Sequence, residues 1–227
     1  MRVSQISSQL LAELLGTAFL VATVVGSGIM ATQLTTDVGL QLLGNTVPTG
    51  AILYVLISIF GPISGAHFNP AVSLVLALRK ELPFTHVLPY MACQSLGGVM
   101  GTLLAHFMFD MNMIELSTQV RTGHALWFAE FIATFGLMLT ILLGLEHARN
   151  QVPALVAFYI TAAYWFTAST SFANPAVTFA RSLTPSFSGI ALGSVMGFVI
   201  AQLLGACAAS LVVGWLAPAK IISENEA

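Results

Sequence analysis

The sequence predicts an all-α membrane protein with six transmembrane helices and two re-entrant half-helices, arranged as an inverted repeat of three plus three spans. Composition is the first indication, because 57% of the 227 residues are hydrophobic, only 7% are charged, and the mean hydropathy is +0.90. Soluble domains are about a quarter charged. The second indication is a set of six apolar stretches long enough to cross a bilayer. The third is a pair of shorter apolar stretches that share the tripeptide Asn-Pro-Ala.

Six stretches reach the roughly 20 apolar residues that a helix needs to cross about 30 Å of hydrocarbon. They cover about 10–33, 46–65, 84–109, 124–146, 152–170 and 189–216. The first is about twice as long as a signal-peptide core and has no convincing cleavage pattern, so we expect it to remain as a span. Two further apolar stretches, about 67–79 and 172–183, are too short to cross. We expect them to enter and leave on one side as half-length helices.

The two halves of the chain resemble each other. LAELLGTAFL (11–20) resembles FAEFIATFGL (128–137), and ACQSLGG (92–98) resembles IAQLLGA (200–206). The sequence therefore predicts one channel domain, 1–227, made of repeats at about 1–115 and 116–227. Because each repeat holds an odd number of spans, the second is expected to lie inverted in the membrane. That symmetry brings the half-helices together near the midplane, where discontinuous helices form substrate sites.

The distribution of basic residues predicts the orientation, because short cytoplasmic loops are enriched in Lys and Arg. With six spans threaded, one side holds Arg2, Arg79, Lys80, Arg149 and Lys220, and the other holds Arg121 and Arg181. Both termini are therefore expected to be cytoplasmic, in a multi-pass protein of the cell membrane.

The repeated tripeptide marks two helix starts. Its residues are Asn69, Pro70 and Ala71 in the first half, and Asn174, Pro175 and Ala176 in the second. Asparagine is a strong N-cap, and proline is tolerated at the first helical position. One such tripeptide is a common helix start, but two copies at equivalent places, each followed by Val and a hydroxyl residue, indicate a pore. Two facing helix ends orient water or a hydroxyl with amide donors and repel cations and protons.

SGAHFNPAV (64–72), the second NPAV, the two Ala-Glu spans and the two Gln-containing spans resemble the aquaporin, or major intrinsic protein, family. The resemblance covers essentially the whole chain. It implies an aquaporin-like bundle that forms a passive channel for water and small neutral solutes in a lipid bilayer. It also implies no cofactor and a homotetramer with a pore in every protomer.

Five buried polar residues are expected to support or line this pore. Glu13 and Glu130 occupy equivalent places in spans one and four, where an unpaired carboxylate is costly. We expect each to accept backbone N–H groups from a re-entrant loop, with Gln94 and Gln202 holding the same loops. The alternative is an ion-coupled secondary transporter in which the two carboxylates relay protons. His67 is expected at the cytoplasmic mouth, as in the family.

The outer constriction departs from the family pattern, in which arginine follows the second tripeptide. Here that residue is Val177, and the resemblance places Thr49, Ala162 and Ser171 at the other three filter positions. None is large, aromatic or charged, so the sequence predicts a wide pore that passes glycerol, urea, boric acid or neutral arsenous acid. STSFANPAVT (169–178) also resembles bacterial aquaporin-like channels linked with arsenic resistance.

Arg181 is not expected to replace the missing filter arginine. It lies seven residues beyond Asn174, which is about 10 Å of helical rise directed away from the mouth. Exclusion of protons and cations is therefore expected to depend on the two helix ends and on desolvation.

Other function classes are excluded on composition and motifs. Seven Lys and Arg residues, with a net charge of −2, provide no basic surface for nucleic acid. The two cysteines, Cys93 and Cys207, show no metal-ligand spacing, so no metal is expected. The sequence contains no GxSxG, no HExxH and no paired aspartates within spans, so we expect no enzymatic activity.

Overall fold

The computed structural model describes residues 5–217, which form helices and connecting loops without a strand. The helices are α1 Gln5–Leu34, α2 Val38–Ser64, α3 Pro70–Leu78, α4 Phe84–Met108, α5 His124–His147, α6 Val152–Phe166, α7 Pro175–Ala180 and α8 Leu192–Leu216. Single 3₁₀ turns, Arg149–Gln151 and Arg181–Leu183, precede α6 and follow α7. The predicted fold class is confirmed: two short helices, α3 and α7, accompany six longer ones. Two residues used to predict the orientation, Arg2 and Lys220, lie outside the described residues.

Five of the described helices, α1, α2, α4, α5 and α8, are long and apolar enough to cross a membrane. Their outward faces carry large apolar side chains that are mostly exposed, such as Leu88 at 77%, Phe107 at 76% and Trp215 at 88%. Soluble monomers rarely expose apolar surface on this scale. The molecule is therefore an integral membrane protein.

The fifth predicted span is shorter than expected. Helix α6 has 15 residues and ends at Phe166, whereas the predicted span continues to about 170. The chain leaves the helix at Thr167, which has an extended backbone, and reaches a left-handed conformation at Thr170. Residues 167–170 are Thr-Ala-Ser-Thr, so the large apolar side chains end with the helix at Phe166, and the predicted span extends beyond them.

Close helix packing positions the short helices. A Cβ atom at Gly97 or Gly101 of α4 would overlap the carbonyl oxygens of Leu14 and Ala18 on α1. A Cβ at Gly205 of α8 would likewise overlap a carbonyl oxygen of α5. Small residues at such contacts let helix backbones approach closely. The two tight pairs, α1 with α4 and α5 with α8, enclose the half-helices.

Candidate pore and outer constriction

Each short helix begins at an asparagine that caps its first turn. Oδ1 of Asn69 accepts a hydrogen bond of 2.9 Å from the N–H of Ala71. Oδ1 of Asn174 accepts hydrogen bonds from the N–H groups of Ala176 at 3.0 Å and Val177 at 3.3 Å. Both asparagines have an extended backbone and are followed by proline at the first helical position. These caps satisfy N–H groups that would otherwise be unpaired inside the membrane.

The same asparagines join the two halves of the chain. Nδ2 of Asn69 donates a hydrogen bond of 2.8 Å to the carbonyl oxygen of Ala173, and Nδ2 of Asn174 donates one of 2.7 Å to that of Phe68. Each acceptor is the residue directly before the other asparagine. Because a side-chain amide carries two N–H donors, each asparagine retains one for a molecule in the cavity.

The loops that lead into the short helices share an unusual backbone. Ala66 and Phe68 have φ of 51° and 48°, and Ser171 and Ala173 have φ of 50° and 48°. These residues lie three places and one place before each asparagine. Left-handed conformations cost non-glycine residues about 1–2 kcal/mol each, so the surrounding protein must hold both loops in this form.

Glu13 holds the first loop. Its Oε1 accepts hydrogen bonds from the hydroxyl of Ser64 at 2.6 Å and the N–H of His67 at 3.0 Å. Its Oε2 accepts hydrogen bonds from the N–H of Phe68 at 2.7 Å and from Nε2 of Gln94 at 2.8 Å. Four donors thus surround a carboxylate that is completely buried.

Glu130 holds the second loop in the same way. Its Oε1 accepts a hydrogen bond of 2.8 Å from the N–H of Phe172. Its Oε2 accepts hydrogen bonds from the N–H of Ala173 at 2.9 Å and from Nε2 of Gln202 at 2.6 Å. Gln202 also donates to Thr178 at 2.8 Å, which links the carboxylate to the short helix. Neither Glu13 nor Glu130 is among the residues that line the central cavity.

That cavity has a volume of about 110 Å³ and passes both asparagines. Since a water molecule occupies about 30 Å³ in the liquid, it has space for several. Four long helices line it with side chains at every fourth position: Leu20 and Val24 of α1; Thr49, Leu53 and Ile57 of α2; Leu137, Ile141 and Leu145 of α5; and Val152, Val156, Ile160 and Tyr164 of α6. Loop residues 65–69 and 171–174 also line it. The wall therefore combines apolar helical stripes with two hydrogen-bonding loops.

The structure brings three of the four expected filter residues to this cavity. Thr49, Ser171 and Val177 line it, and each is at most 5% exposed. Thr49 Oγ1 donates a hydrogen bond of 2.8 Å to the carbonyl of Asn45. The hydroxyl of Ser171 has no hydrogen-bond partner among the described residues.

Ala162 does not line the cavity, contrary to expectation. Its side chain is exposed on α6 and is absent from the cavity lining. Tyr164 lines the cavity instead, one turn beyond Ile160, and is 3% exposed. Residues four apart share a helix face, and Ala162 is two residues away from that stripe. The cavity lining on α6 therefore does contain an aromatic side chain.

Arg181 also lines the cavity, contrary to expectation. Its side chain is 2% exposed, its Nε donates a hydrogen bond to the carbonyl of Ser188, and its guanidinium carbon lies 3.3 Å from the ring centroid of Phe172. The expectation considered only the rise of the helix. A helical side chain leans toward the N-terminus of its helix, and Arg181 follows Val177 by one turn on the same face.

A second arginine, Arg121 in the loop between α4 and α5, approaches the same aromatic ring. Its guanidinium carbon is 5.3 Å from the Phe172 ring centroid, and its Nε donates a hydrogen bond of 2.9 Å to the carbonyl of Gly189. Burial lowers the pKa of Arg121 from its ordinary value, because desolvation disfavours the charged form. Arg121 does not line the central cavity.

Comparison with known proteins agrees with this architecture. The model of the family described as major intrinsic protein matches residues 1–168. The chain belongs to the major intrinsic protein family. This family member is 56% identical over 216 residues to aquaglyceroporin AqpS of Rhizobium meliloti, covering 95% of this chain and 93% of that protein. It is 26% identical to aquaporin Z of Rhodopseudomonas palustris, over 93% and 94% of the two chains.

A solved structure has the same fold. The aquaglyceroporin from Plasmodium falciparum superposes with a TM-score of 0.70 at 19% identity, over 92% of this chain and 95% of that one. At this identity the likeness concerns the fold. It extends over the second half of this major intrinsic protein, which the family model leaves unmatched beyond residue 168.

His67 of this major intrinsic protein lies at one end of the cavity. Its Nδ1 is 3.0 Å from the hydroxyl of Ser73, and its ring is 5.2 Å from that of Tyr90. It lines both the central cavity and a wider hollow bordered by Gln5, Gln9 and His86. His67 therefore stands where the cavity opens.

Sequence reasoning missed Tyr164, Phe172 and Arg181 as residues of the constriction. Two signals in the sequence could have found Tyr164 and Arg181, whereas none indicates Phe172. Val152, Val156, Ile160 and Tyr164 recur at intervals of four, which places Tyr164 on the lining face. Val177 and Arg181 have the same spacing.

Proposed function

We propose that this chain is a passive channel for water and small neutral polyhydroxy solutes of the glycerol class. The observation that carries the proposal is the two-sided cavity, with apolar stripes from four helices and hydrogen-bonding groups from two loops. A polyol has the matching surfaces, since its carbon backbone packs on apolar side chains while its hydroxyls pair with the loops. The relative at 56% identity is named an aquaglyceroporin, which supports the same substrate class.

The outer constriction is proposed to consist of Thr49, Tyr164, Ser171 and Val177. Where the family's usual arginine would stand, Val177 adds an apolar surface without charge. A valine is smaller than an arginine, so the space beside it admits solutes larger than water. Neutral arsenous acid and other metalloid hydroxides present hydroxyls in a similarly compact form, and we include them as permeant solutes.

The assembly is proposed to follow the family. The order long, long, short and long helix occurs twice, and Glu13 and Glu130 hold equivalent loops, which supports inverted repeats at about 1–115 and 116–227. We propose a homotetramer with one pore per protomer. Arg79, Lys80 and Arg149 support a cytoplasmic location for both termini in the cell membrane.

The test is stopped-flow light scattering on liposomes that contain the purified protein. The vesicles are shocked with an impermeant sugar and, separately, with glycerol. Fast shrinkage in sugar and accelerated reswelling in glycerol, relative to empty liposomes, is the expected result. Reswelling no faster than in empty liposomes would contradict the polyol channel. For a channel, the rate of glycerol entry should rise linearly with glycerol concentration and should not change when a proton gradient is imposed. An ion-coupled transporter would saturate and respond to the gradient.

A further inference from the structure

The strongest unexplained feature of the cavity is a buried cation. Arg181 is 2% exposed and lines the cavity, and the ion pair found within residues 5–217 joins Arg79 to Glu81 instead. A guanidinium in a membrane protein is costly unless it meets a partner or a water-filled space. Since no carboxylate neutralises Arg181 in the described chain, its charge is available to whatever occupies the cavity.

The side chain is also held in place. The guanidinium stacks on the face of Phe172 at 3.3 Å, and Nε donates to the carbonyl of Ser188. Phe172 is itself 4% exposed and packs edge to face on Phe198 at 5.1 Å. Of the five N–H donors of a guanidinium, these contacts use the one on Nε. The terminal nitrogens retain theirs.

A second, independent observation points to a ligand in the same cavity. The hydroxyl of Ser171 is buried, lines the cavity and has no hydrogen-bond partner in the described chain. A buried polar group left unpaired costs about 1–3 kcal/mol. Because Ser171 and Arg181 line the same cavity, the oxygens of a solute or of water there are available to both groups.

We infer that Arg181 supplies the fixed cation of the outer constriction, and that Arg181 and Ser171 together bind the oxygen of a passing hydroxyl solute while the charge excludes cations. The inference rests on the proposed channel function. A membrane channel for neutral solutes must exclude ions, yet Val177 carries no charge. Arg181 provides the charge that position 177 lacks. The cation stands one turn beyond Val177, in the 3₁₀ turn that follows α7, so the aperture beside Val177 stays open.

The test compares cation leak with glycerol flux in the same liposomes. Arg181→Gln removes the charge, Arg181→Lys retains it, and Arg121→Gln removes the neighbouring arginine that lies outside the cavity lining. A unit charge a few ångströms from the path changes ion entry by roughly 10- to 100-fold. We expect that increase in potassium and proton leak for Arg181→Gln alone, with glycerol reswelling still faster than in empty liposomes.

If the Arg181→Gln protein is not monodisperse, Arg181→Met serves as the second charge-free variant. Methionine keeps an apolar stem of similar length. Ser171→Ala should slow glycerol reswelling several-fold without raising the leak. Leak equal to the wild type in a folded charge-free variant would overturn the inference, as would an equal rise in Arg121→Gln. Failure of the wild type itself to pass glycerol would instead reject the channel proposal, so the two failures are distinguishable.

Discussion

The hydroxyl of Tyr164 donates a hydrogen bond of 3.3 Å to Oγ1 of Thr49, and so joins α6 to α2 beside the second loop. Oγ1 of Thr49 in turn donates a hydrogen bond to the carbonyl of Asn45. An aromatic ring thus borders the constriction at a position fixed from two helices.

Tyr164→Ala is expected to widen the pore. Polyols of four or five carbons should enter several-fold faster, because the ring no longer limits the aperture, and stability should fall by about 3–5 kcal/mol as for other buried aromatic truncations. Stopped-flow reswelling with a series of polyols measures the effect. Ala162→Leu is the control, since Ala162 is exposed on the same helix. If Ala162→Leu lowered the largest polyol that permeates, while Tyr164→Ala left that size unchanged, Ala162 rather than Tyr164 would border the constriction.

Val177→Arg is expected to suppress glycerol flux by tenfold or more, because a long cation would fill the space beside Tyr164 and confront Arg181 on the same face. A tenfold loss of flux corresponds to a rise of about 1.4 kcal/mol in the free-energy barrier to permeation. Water flux should fall less. Val177→Leu keeps the apolar surface and should retain most glycerol flux. Unchanged glycerol reswelling in the arginine variant would remove Val177 from the constriction.

Glu130→Gln is expected to destabilise the second loop. The amide nitrogen cannot accept the hydrogen bonds that one carboxylate oxygen receives, and each unpaired buried donor costs about 1–3 kcal/mol. The melting temperature in detergent should drop clearly, and flux should drop with it. Glu146→Gln is the exposed control on α5. A stable Glu130→Gln protein that loses a proton-gradient response shown by the wild type would instead favour the relay.

Asn174→Ala is expected to lose both the helix cap and the link to Phe68. The cap contributes about 1 kcal/mol, and a hydrogen bond between membrane helices about 0.6 kcal/mol. Thermal unfolding in detergent should therefore shift to lower temperature, and water flux should fall. Asn112→Ala is the control, since Asn112 is exposed and its side chain donates a hydrogen bond of 3.3 Å to Glu115. An equal shift in both variants would contradict a special role for the cap.

Local chemistry explains which parts could be predicted from the sequence. Asn69 and Asn174 begin helices because an Asn followed by Pro fits the first turn whatever surrounds it. Long apolar stretches give the spans because backbone hydrogen bonds must be satisfied within the membrane. These features need no knowledge of neighbouring elements.

The missed residues depend on tertiary geometry. Ala162 was placed by counting along a family pattern without a fixed register for α6, whereas the structure turns Tyr164 inward. Arg181 was judged by axial rise alone, and its position was determined by the ring of Phe172 in a neighbouring loop. The end of α6 at Phe166 coincides with a change from large apolar residues to Thr-Ala-Ser-Thr, a local signal that the predicted span passed over.

The reciprocal bonds from Asn69 to Ala173 and from Asn174 to Phe68 have a consequence for biosynthesis. While the ribosome has made only about the first hundred residues, the amide of Asn69 lacks its acceptor, Ala173, and the carbonyl of Phe68 lacks its donor, Asn174. The first loop can reach its final form only after the second has been translated and inserted. A chain truncated by a premature stop codon should therefore not form half a pore, and it should be degraded by membrane quality control.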